Sequence, residues 1–347
     1  MDKYHSPQVD VAVRLNTNES PLPVPPEWIQ DVSDAVKNVA WNRYPDRSAR
    51  PLREAIANRH GVSPNNVFVA NGSNEVLQTL LLTYAGAGRT VATFEPTYQL
   101  HAHFARISGA KVVSGQRDAD FELHESEIRR VLETAQPEVI FLCSPNNPTG
   151  RLEPRRNIEV VVANAPGLVI IDEAYAEFSD WSALELVTEH SNVVVTRTFS
   201  KTWSLAALRL GYAIASTRIV EELNTVVMPY HLDALKQVAG ERALQYVEQM
   251  QSRVAGIVQE RDRIADRLGQ LGIETWPSGA NFILFRPISA ESTGPETVWQ
   301  KLLNAGVLVR DCSTWSGLDG CLRVTVGTPV ENDLFLKALC WAVGKRE

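Results

Sequence analysis

Residues 198–212 contain a lysine, a serine and an arginine whose spacing fits a site for a phosphorylated aldehyde. Lys201 directly follows Ser200 and precedes Arg209 by eight positions, after the apolar run 193–195. A lysine that loses its proton in a partly dry, cationic pocket can form an imine with an aldehyde. A hydroxyl beside a guanidinium suits a phosphate. The segment therefore favours pyridoxal phosphate (PLP) as a ligand over the alternative, a strand end with solvated charges.

A carboxylate and a phenol follow a second apolar run. Asp172 and Tyr175 come after residues 168–171, and a carboxylate at the end of a buried strand needs a partner to stay ionised. A protonated pyridine nitrogen is such a partner, and Tyr175 could reach the ring hydroxyl. A nucleotide-hydrolysing site would require a GxxxxGK[ST] loop, which the chain lacks. A dinucleotide site fails because Gly86 and Gly88 have no third glycine in place.

Three other turns carry weaker signals. Gly72 and Ser73 lie in a strand-to-helix turn that could bind an anion or could simply be an N-cap. Asn147 lies in the proline-rich loop 144–150, which could hold its side chain in one direction or be an ordinary proline turn. Tyr98 ends another predicted strand, where it could stack on a cofactor ring or belong to the core.

Two arginines near the carboxyl terminus are candidates for binding a substrate anion. Arg323 alternates with apolar neighbours, which places it on the opposite face of a strand, and Arg310 ends the apolar run 307–309. A guanidinium can bind a carboxylate or a phosphate through two parallel hydrogen bonds. The alternative for each is a surface arginine.

The pattern of apolar runs predicts a largely parallel α/β sheet covered by helices. Helical patterns, such as those at residues 125–134 and 155–163, separate most of the apolar runs. Seven buried strands are predicted at residues 67–70, 90–94, 111–113, 139–143, 168–172, 193–196 and 210–215. Ligands bind at the carboxyl ends of strands in such a sheet, and the candidate residues follow several of these ends.

The remaining residues predict an arm and a smaller α+β unit. Residues 1–27 are polar and rich in proline, which indicates an extended arm, and residues 233–270 predict one long helix. Shorter strands and a closing helix are predicted at residues 281–286, 307–310 and 321–326 and from 331 onward. The expected domains are residues 1–40 (an arm and part of the small domain), 41–230 (the large PLP-binding domain) and 231–347 (the small C-terminal domain).

Composition excludes several other classes of protein. The 347 residues are 44% apolar and 22% charged, and the net charge of −7 argues against general nucleic-acid binding. No apolar signal segment begins the chain, and no apolar run approaches the ~20 residues of a membrane span. Four cysteines without zinc-site spacing predict reduced thiols. We expect a cytoplasmic protein that binds no nucleic acid, membrane or metal.

In motif order and spacing, residues 14–330 resemble the fold-type-I aminotransferases of class I and II. The resemblance implies the PLP-dependent transferase fold, with a large domain built on a mostly parallel seven-stranded sheet and a smaller α+β domain. Besides the motifs above, it rests on segments at residues 15–19, 43–46, 96–98, 278–282 and 322–327.

The resemblance also implies a role for each residue near the cofactor ring. Lys201 binds the cofactor covalently and then moves the proton at the substrate Cα. Asp172 pairs with the ring nitrogen, and Tyr98 stacks on the ring. Asn147 and Tyr175 bind the ring oxygen.

The same resemblance places the cofactor phosphate between two subunits. Gly72, Ser73, Ser200 and Arg209 hold it from one side. Tyr44 of the partner subunit reaches it from the other, so a homodimer is the expected active unit. For the substrate, the expected contacts are Arg323 as the anion anchor together with Arg310, Asn147, Tyr44 and Asn16.

The implied activity is transamination in two half-reactions. An amine donor leaves its nitrogen on the cofactor, and a 2-oxo acid such as 2-oxoglutarate collects it. Histidinol phosphate and imidazole-acetol phosphate, from histidine biosynthesis, are the first expected substrate pair. An aromatic amino acid donor and a lyase that decarboxylates phosphothreonine are the alternatives. A non-catalytic regulator would need a DNA-binding domain, for which the residues before Asn16 leave no room.

The chain departs from the family pattern at a few positions near these motifs. His101 and His103 stand where many relatives carry an aromatic residue, and Ser204 and Ala207 replace glycines that often follow the lysine. These differences concern the pocket for the substrate side chain more than the chemistry.

Overall fold

The computed structural model describes residues 9–287 and 295–345, and this part of the chain contains twelve strands and twelve α-helices. The strands are β1 (Val13–Leu15), β2 (Val67–Ala70), β3 (Thr90–Glu95), β4 (Lys111–Gln116), β5 (Val139–Cys143), β6 (Leu168–Asp172), β7 (Val193–Thr198), β8 (Gly211–Ala215), β9 (Glu274–Thr275), β10 (Phe282–Arg286), β11 (Val307–Asp311) and β12 (Leu322–Thr325). The helices are α1 (Pro26–Val36), α2 (Arg50–His60), α3 (Gly72–Tyr84), α4 (Gln99–Ile107), α5 (Glu125–Ala135), α6 (Arg155–Asn164), α7 (Leu184–Glu189), α8 (Thr217–Val226), α9 (Ala234–Ala243), α10 (Val247–Gln270), α11 (Pro295–Asn304) and α12 (Pro329–Ala342).

Within the described residues, seven strands form the large sheet, in the order β2-β8-β7-β6-β5-β3-β4. Neighbours from β7 to β4 run parallel, whereas β8 is antiparallel to both β7 and β2. Every residue of β5, β6 and β7 is buried, because helices pack on both faces of the sheet. The predicted fold class, a mostly parallel seven-stranded sheet covered by helices, is confirmed.

The second sheet has the order β1-β11-β12-β10-β9. Strand β12 lies between β10 and β11 and runs antiparallel to both, and β1 runs parallel to β11. The large side chains of Phe282, Phe285 and Phe335 fill a separate core between this sheet and helices α10 and α12. Two sheets with their own cores support the proposed division at residues 40 and 230, and those boundaries stay a prediction.

The extended arm predicted at residues 1–27 is wrong where the chain forms β1. Val13 and Leu15 are buried in the core of the second sheet, and Arg14 between them is exposed. The prediction relied on proline content, which reports local backbone preference, whereas β11 stabilises β1 from a distant part of the chain. Residues 1–8 of the predicted arm lie outside the described residues.

The single helix predicted at residues 233–270 is two helices, α9 and α10, with a break at residues 244–246. No glycine or proline marks the break, so the sequence gives no local signal for it. Tertiary contacts accompany it instead. Tyr246 donates a hydrogen bond to Asp31 of α1, and Gly240 of α9 lies so close to the residue before β8 that a Cβ would approach it to 2.2 Å. No helix in the described part of the chain has the length and apolar character to cross a membrane.

Candidate active site

A cavity of about 260 Å³ lies where the carboxyl ends of the large sheet's strands face the second sheet. The chain after β5 and β7 brings Asn147 and Lys201 to it, β6 ends at Asp172, and β11 and β12 supply Arg310 and Arg323. The predicted site residues that line it are Asn16, Ser73, Tyr98, Asn147, Asp172, Tyr175, Ser200, Lys201, Arg209, Arg310 and Arg323.

Lys201 has the reactivity that attack on an aldehyde requires. Its Nζ donates a hydrogen bond of 3.0 Å to the carbonyl oxygen of Thr17. Removal from water, followed by the positive charge of Arg323, lowers the pKa of Lys201 to about 7. A large share of this amine is therefore neutral near pH 7, and the neutral form is the nucleophile.

The carboxylate of Asp172 is buried and held by hydrogen bonds. His101 Nε2 donates to Oδ2 over 2.9 Å, and the Thr196 hydroxyl donates to Oδ1 over 3.3 Å. His101 in α4 is fully buried, and its ring stacks on Phe141 at 4.4 Å. In the sequence, His101 stood out only as a departure from the family pattern. Its position one helical turn after Tyr98, on the same face, is the signal that could have found it.

Hydrogen bonds also hold Tyr175 and Asn147 in the cavity wall. The phenol oxygen of Tyr175 accepts a hydrogen bond of 2.9 Å from Asn18 Nδ2. Asn147 Oδ1 accepts one from Arg323 Nη1, and Arg323 Nη2 donates to the carbonyl oxygen of Asn16 over 3.1 Å. The segment before α1 thus contributes directly to the site.

The amino terminus of α3 and Arg209 form a corner that suits a phosphate. Gly72 begins α3 with φ +80°, and a Cβ at this position would lie 2.8 Å from Arg209 Nη2. Arg209 Nη1 donates to the Ser200 hydroxyl over 3.3 Å, and Ser73 lies in the first turn of α3. Backbone N–H groups at a helix start, a hydroxyl and a guanidinium together bind phosphate well. A side chain at position 72 would therefore displace the Arg209 guanidinium from this corner.

Two buried arginines face each other across β11 and β12. Arg310 and Arg323 are register partners in this antiparallel pair, and both line the cavity. The Arg310 guanidinium lies over the ring of Trp315 at 5.4 Å, and that of Arg323 over Phe282 at 5.0 Å. Aromatic faces stabilise a cation and set the plane of a guanidinium. Two adjacent positive charges in one cavity wall favour an anionic ligand.

Tyr44 lies away from this cavity. Its side chain is 79% exposed, and its ring stacks on Tyr230 at 4.5 Å. One chain alone therefore does not bring Tyr44 to the site, and its exposed ring is accessible to a second subunit.

Several residues of the cavity wall were not predicted from the sequence. Most of them lie inside or next to the motifs named above, and that position is a signal that could have found them. Trp315 belongs to no motif and lies in the loop between β11 and β12. The unassigned residues are Thr17, Asn18, Asn74, Cys143, Ala174, Thr198 and Trp315.

Comparison with known proteins decides the family. The family described as aminotransferase class I and II matches residues 10–339. This chain belongs to that family. The aminotransferase is 42% identical to the histidinol-phosphate aminotransferase of Thermobifida fusca (strain YX), over 99% of this chain and 93% of that protein.

Solved structures share the fold of this aminotransferase. The histidinol-phosphate aminotransferase of Clostridium acetobutylicum superposes with a TM-score of 0.88 at 23% identity, over 96% of this chain and 99% of that one. The enzyme of the same name from Sinorhizobium meliloti, solved in complex with PLP, gives 0.87 at 22% identity, over 96% and 91%.

The cofactor of the aminotransferase is PLP, as in its family. The residues present fit this group. The corner combines the amino terminus of α3, the Ser200 hydroxyl and the Arg209 guanidinium, which suit its phosphate, and the lack of a side chain at Gly72 leaves room for that guanidinium. Lys201, with its lowered pKa, is suited to its aldehyde.

Proposed function

We propose that this aminotransferase transfers the amino group of histidinol phosphate to 2-oxoglutarate, giving imidazole-acetol phosphate and glutamate, in histidine biosynthesis. Several relatives about as long as this chain carry the name histidinol-phosphate aminotransferase, at 41% to 42% identity. The observation that carries the proposal is the pair of buried arginines, Arg310 and Arg323, in one cavity wall.

This arginine pair matches the two anions that the reaction must bind in turn. Histidinol phosphate carries a phosphate ester on the carbon that bears the α-carboxylate in glutamate. One guanidinium can bind either group through two N–H bonds. We assign Arg323 to both anions and Arg310 mainly to the phosphate, whose second negative charge needs a second cation. Asn16 and Asn147 hold the Arg323 guanidinium in place for this task.

Lys201 is the proposed base and acid of the reaction. When bound, PLP draws electrons from the substrate Cα and so makes its proton acidic. Lys201 Nζ would remove this proton from Cα and deliver it to the aldehyde carbon of the cofactor. Its low pKa lets the same nitrogen exchange a proton in both directions near neutral pH.

The other cavity residues have proposed roles around the ring. Asp172, held by His101, accepts a hydrogen bond from the ring nitrogen and keeps that nitrogen protonated. Tyr98 stacks on the ring, and Asn147 and Tyr175 bind the ring oxygen.

The phosphate of the cofactor has four proposed binding residues in this chain. Gly72, Ser73, Ser200 and Arg209 surround the corner at the start of α3. Their N–H groups, hydroxyls and guanidinium hold the dianion and orient the ring toward Lys201.

The working unit is proposed to be a cytoplasmic homodimer, with Tyr44 of each subunit completing the phosphate site of the other. An exposed apolar area around Tyr44 supports this. Trp41 is 68% exposed and Met228 73%, and Tyr230 stacks on Tyr44. Apolar surface of this kind is stabilised when a second subunit covers it.

A half-reaction screen tests the substrate. Purified holoenzyme is mixed separately with histidinol phosphate, phenylalanine, tyrosine, glutamate and phosphothreonine, and the absorbance change of the bound cofactor is followed. Histidinol phosphate and glutamate are expected to convert the cofactor to its amine form with the highest kcat/KM values. A higher value for an aromatic amino acid, or release of carbon dioxide from phosphothreonine, would overturn the proposal in favour of that activity.

A further inference from the structure

We propose that Asn18 is a positioning residue that directs the Tyr175 O–H into the active-site cavity. The inference rests on the proposed role of Tyr175 at the cofactor ring. Asn18 lies in the segment between β1 and α1, and Tyr175 lies just after β6 of the large sheet. The contact between them therefore joins the amino-terminal segment to the large sheet.

The direction of the hydrogen bond between these side chains is fixed by their chemistry. Asn18 Nδ2 lies 2.9 Å from the phenol oxygen of Tyr175, and both side chains are buried, at 1% and 4% exposure. An amide nitrogen only donates, so the phenol oxygen accepts. The phenol keeps its own hydrogen for a different acceptor. Burial raises the pKa of Tyr175, so this hydrogen is present at neutral pH.

The orientation of the Asn18 amide is set by Thr325 in β12. The Asn18 backbone N–H donates to Thr325 Oγ1 over 2.9 Å, so the hydroxyl hydrogen of Thr325 is available to donate. It does so to Asn18 Oδ1 over 3.2 Å. The oxygen of the amide therefore faces Thr325, and its nitrogen faces Tyr175. One directed chain of hydrogen bonds runs from the Asn18 backbone through Thr325 and the amide to the phenol.

The backbone of Asn18 is also held in an unusual conformation. Its φ of 55° lies in the left-handed region, where asparagine is tolerated better than most residues. Its carbonyl oxygen accepts a hydrogen bond of 3.1 Å from Asn281 Nδ2. Two residues of the second sheet and its flanking loop, Thr325 and Asn281, thus fix both the backbone and the side chain of Asn18.

The expected consequence is a shift in the titration of the bound cofactor. A Tyr175 O–H that points into the cavity can donate to the negatively charged ring oxygen. This donation favours the deprotonated form of the cofactor–lysine linkage. In that form no proton on the linkage offsets the negative charge of the ring oxygen, so the hydrogen bond from Tyr175 stabilises it more. Loss of the donor should raise the pH at which the cofactor absorbance changes.

Spectroscopic titration of holoenzyme variants tests the inference. Asn18→Asp replaces the amide donor with an acceptor of the same shape, which draws the phenol hydrogen away from the cavity. Asn18→Gly removes the amide and keeps the left-handed backbone. Both should raise the absorbance midpoint, Asn18→Asp by about half a pH unit or more. Ser20→Ala is the control. Ser20 lies in the same segment as Asn18 but forms its side-chain hydrogen bond with Ser204, so this variant should leave the midpoint unchanged.

A double-variant comparison separates the two proposals. If Asn18 acts through Tyr175, the uncharged variant Asn18→Gly should add little to the shift caused by Tyr175→Phe. A full additional shift in that background, or no shift from either Asn18 variant, would overturn the role of Asn18. An unchanged midpoint in Tyr175→Phe alone would instead remove the proposed role of Tyr175 at the ring, and with it this inference.

Discussion

Lys201 is a residue whose environment makes its chemistry possible. Burial and the nearby Arg323 disfavour its protonated form, and their effect is large enough to bring its pKa to about 7. The same arginine has a proposed second task, the binding of substrate anions. A single guanidinium at position 323 would thus link the reactivity of the lysine to occupancy of the substrate site, because an anion bound to Arg323 offsets its charge.

The pKa of Lys201 predicts how the apoprotein takes up PLP. The neutral amine attacks the aldehyde, so the uptake rate should rise with pH and level off above about pH 7, where most of the amine has lost its proton. Arg323→Gln removes a positive charge and should move this rise to higher pH. Stopped-flow absorbance measures the rate, and Lys201→Ala should show no product that borohydride can fix to the chain. A rise centred near pH 10 in the parent protein would contradict this account.

The two cavity arginines predict different responses to the two donors. Arg310→Ala should lower kcat/KM for histidinol phosphate by about 10- to 100-fold and affect glutamate less, because the phosphate group carries two negative charges whereas the α-carboxylate in its place carries one. Arg323→Lys should impair both donors, since an ammonium group cannot form the paired N–H bonds. Steady-state kinetics of both variants with both donors measure this. Equal losses in Arg310→Ala would remove its phosphate role.

At the scale of elements, the start of α3 depends on close approach between a helix and a side chain. Gly72 combines a positive φ with the proximity of Arg209. Gly88 has a similar φ of +82°, but nothing lies within 4 Å of the position its Cβ would take. A substitution at Gly88 would therefore strain only the backbone, whereas one at Gly72 would also push against Arg209.

Gly72→Ala is therefore expected to weaken PLP binding through displacement of Arg209. Equilibrium titration of the apoprotein with PLP should show a loss of affinity of about tenfold or more. Gly88→Ala should cause a comparable loss of stability from its strained backbone, measured as Tm, and leave PLP affinity unchanged. Equal affinity in Gly72→Ala and the parent protein would show that the phosphate does not occupy this corner.

At the scale of the whole molecule, the proposed dimer makes each site depend on two chains. Lys201 lies inside the cavity, whereas Tyr44 is on an exposed apolar surface. Two inactive variants should then complement each other. In a hybrid dimer of Lys201→Ala with Tyr44→Ala, one site carries both substitutions and the other carries neither.

Mixing the two variants tests this expectation. After exchange of subunits, activity should recover toward about one quarter of the parent value, since half of the dimers are hybrids with one intact site each. Each variant incubated alone serves as the control, and sedimentation velocity checks the dimer. No recovery despite exchange would place Tyr44 in the site of its own chain, and full activity of Tyr44→Ala alone would place it outside the site.

Most strands and turns of this molecule follow from local sequence. Runs such as residues 139–143 and 168–171 are apolar at every position, and short apolar runs separated by helical segments favour strands that are covered on both faces. The turns after them carry the polar side chains that a cofactor needs, at the strand ends where an α/β sheet binds ligands. Sequence therefore determined the large sheet, the lysine, and most of the side chains around the cavity.

Tertiary structure decided the contacts that join distant segments. Asn18 donates a hydrogen bond to Tyr175, His101 donates one to Asp172, and Trp315 lies against Arg310, although no local pattern marks these pairs. The same holds for β1 and for the break between α9 and α10. The spacing of apolar residues and the residue types at turns are properties of neighbouring residues, so they predict individual helices, strands and turns. A hydrogen bond between buried groups depends on where whole elements pack, and packing is fixed only when the complete chain has folded.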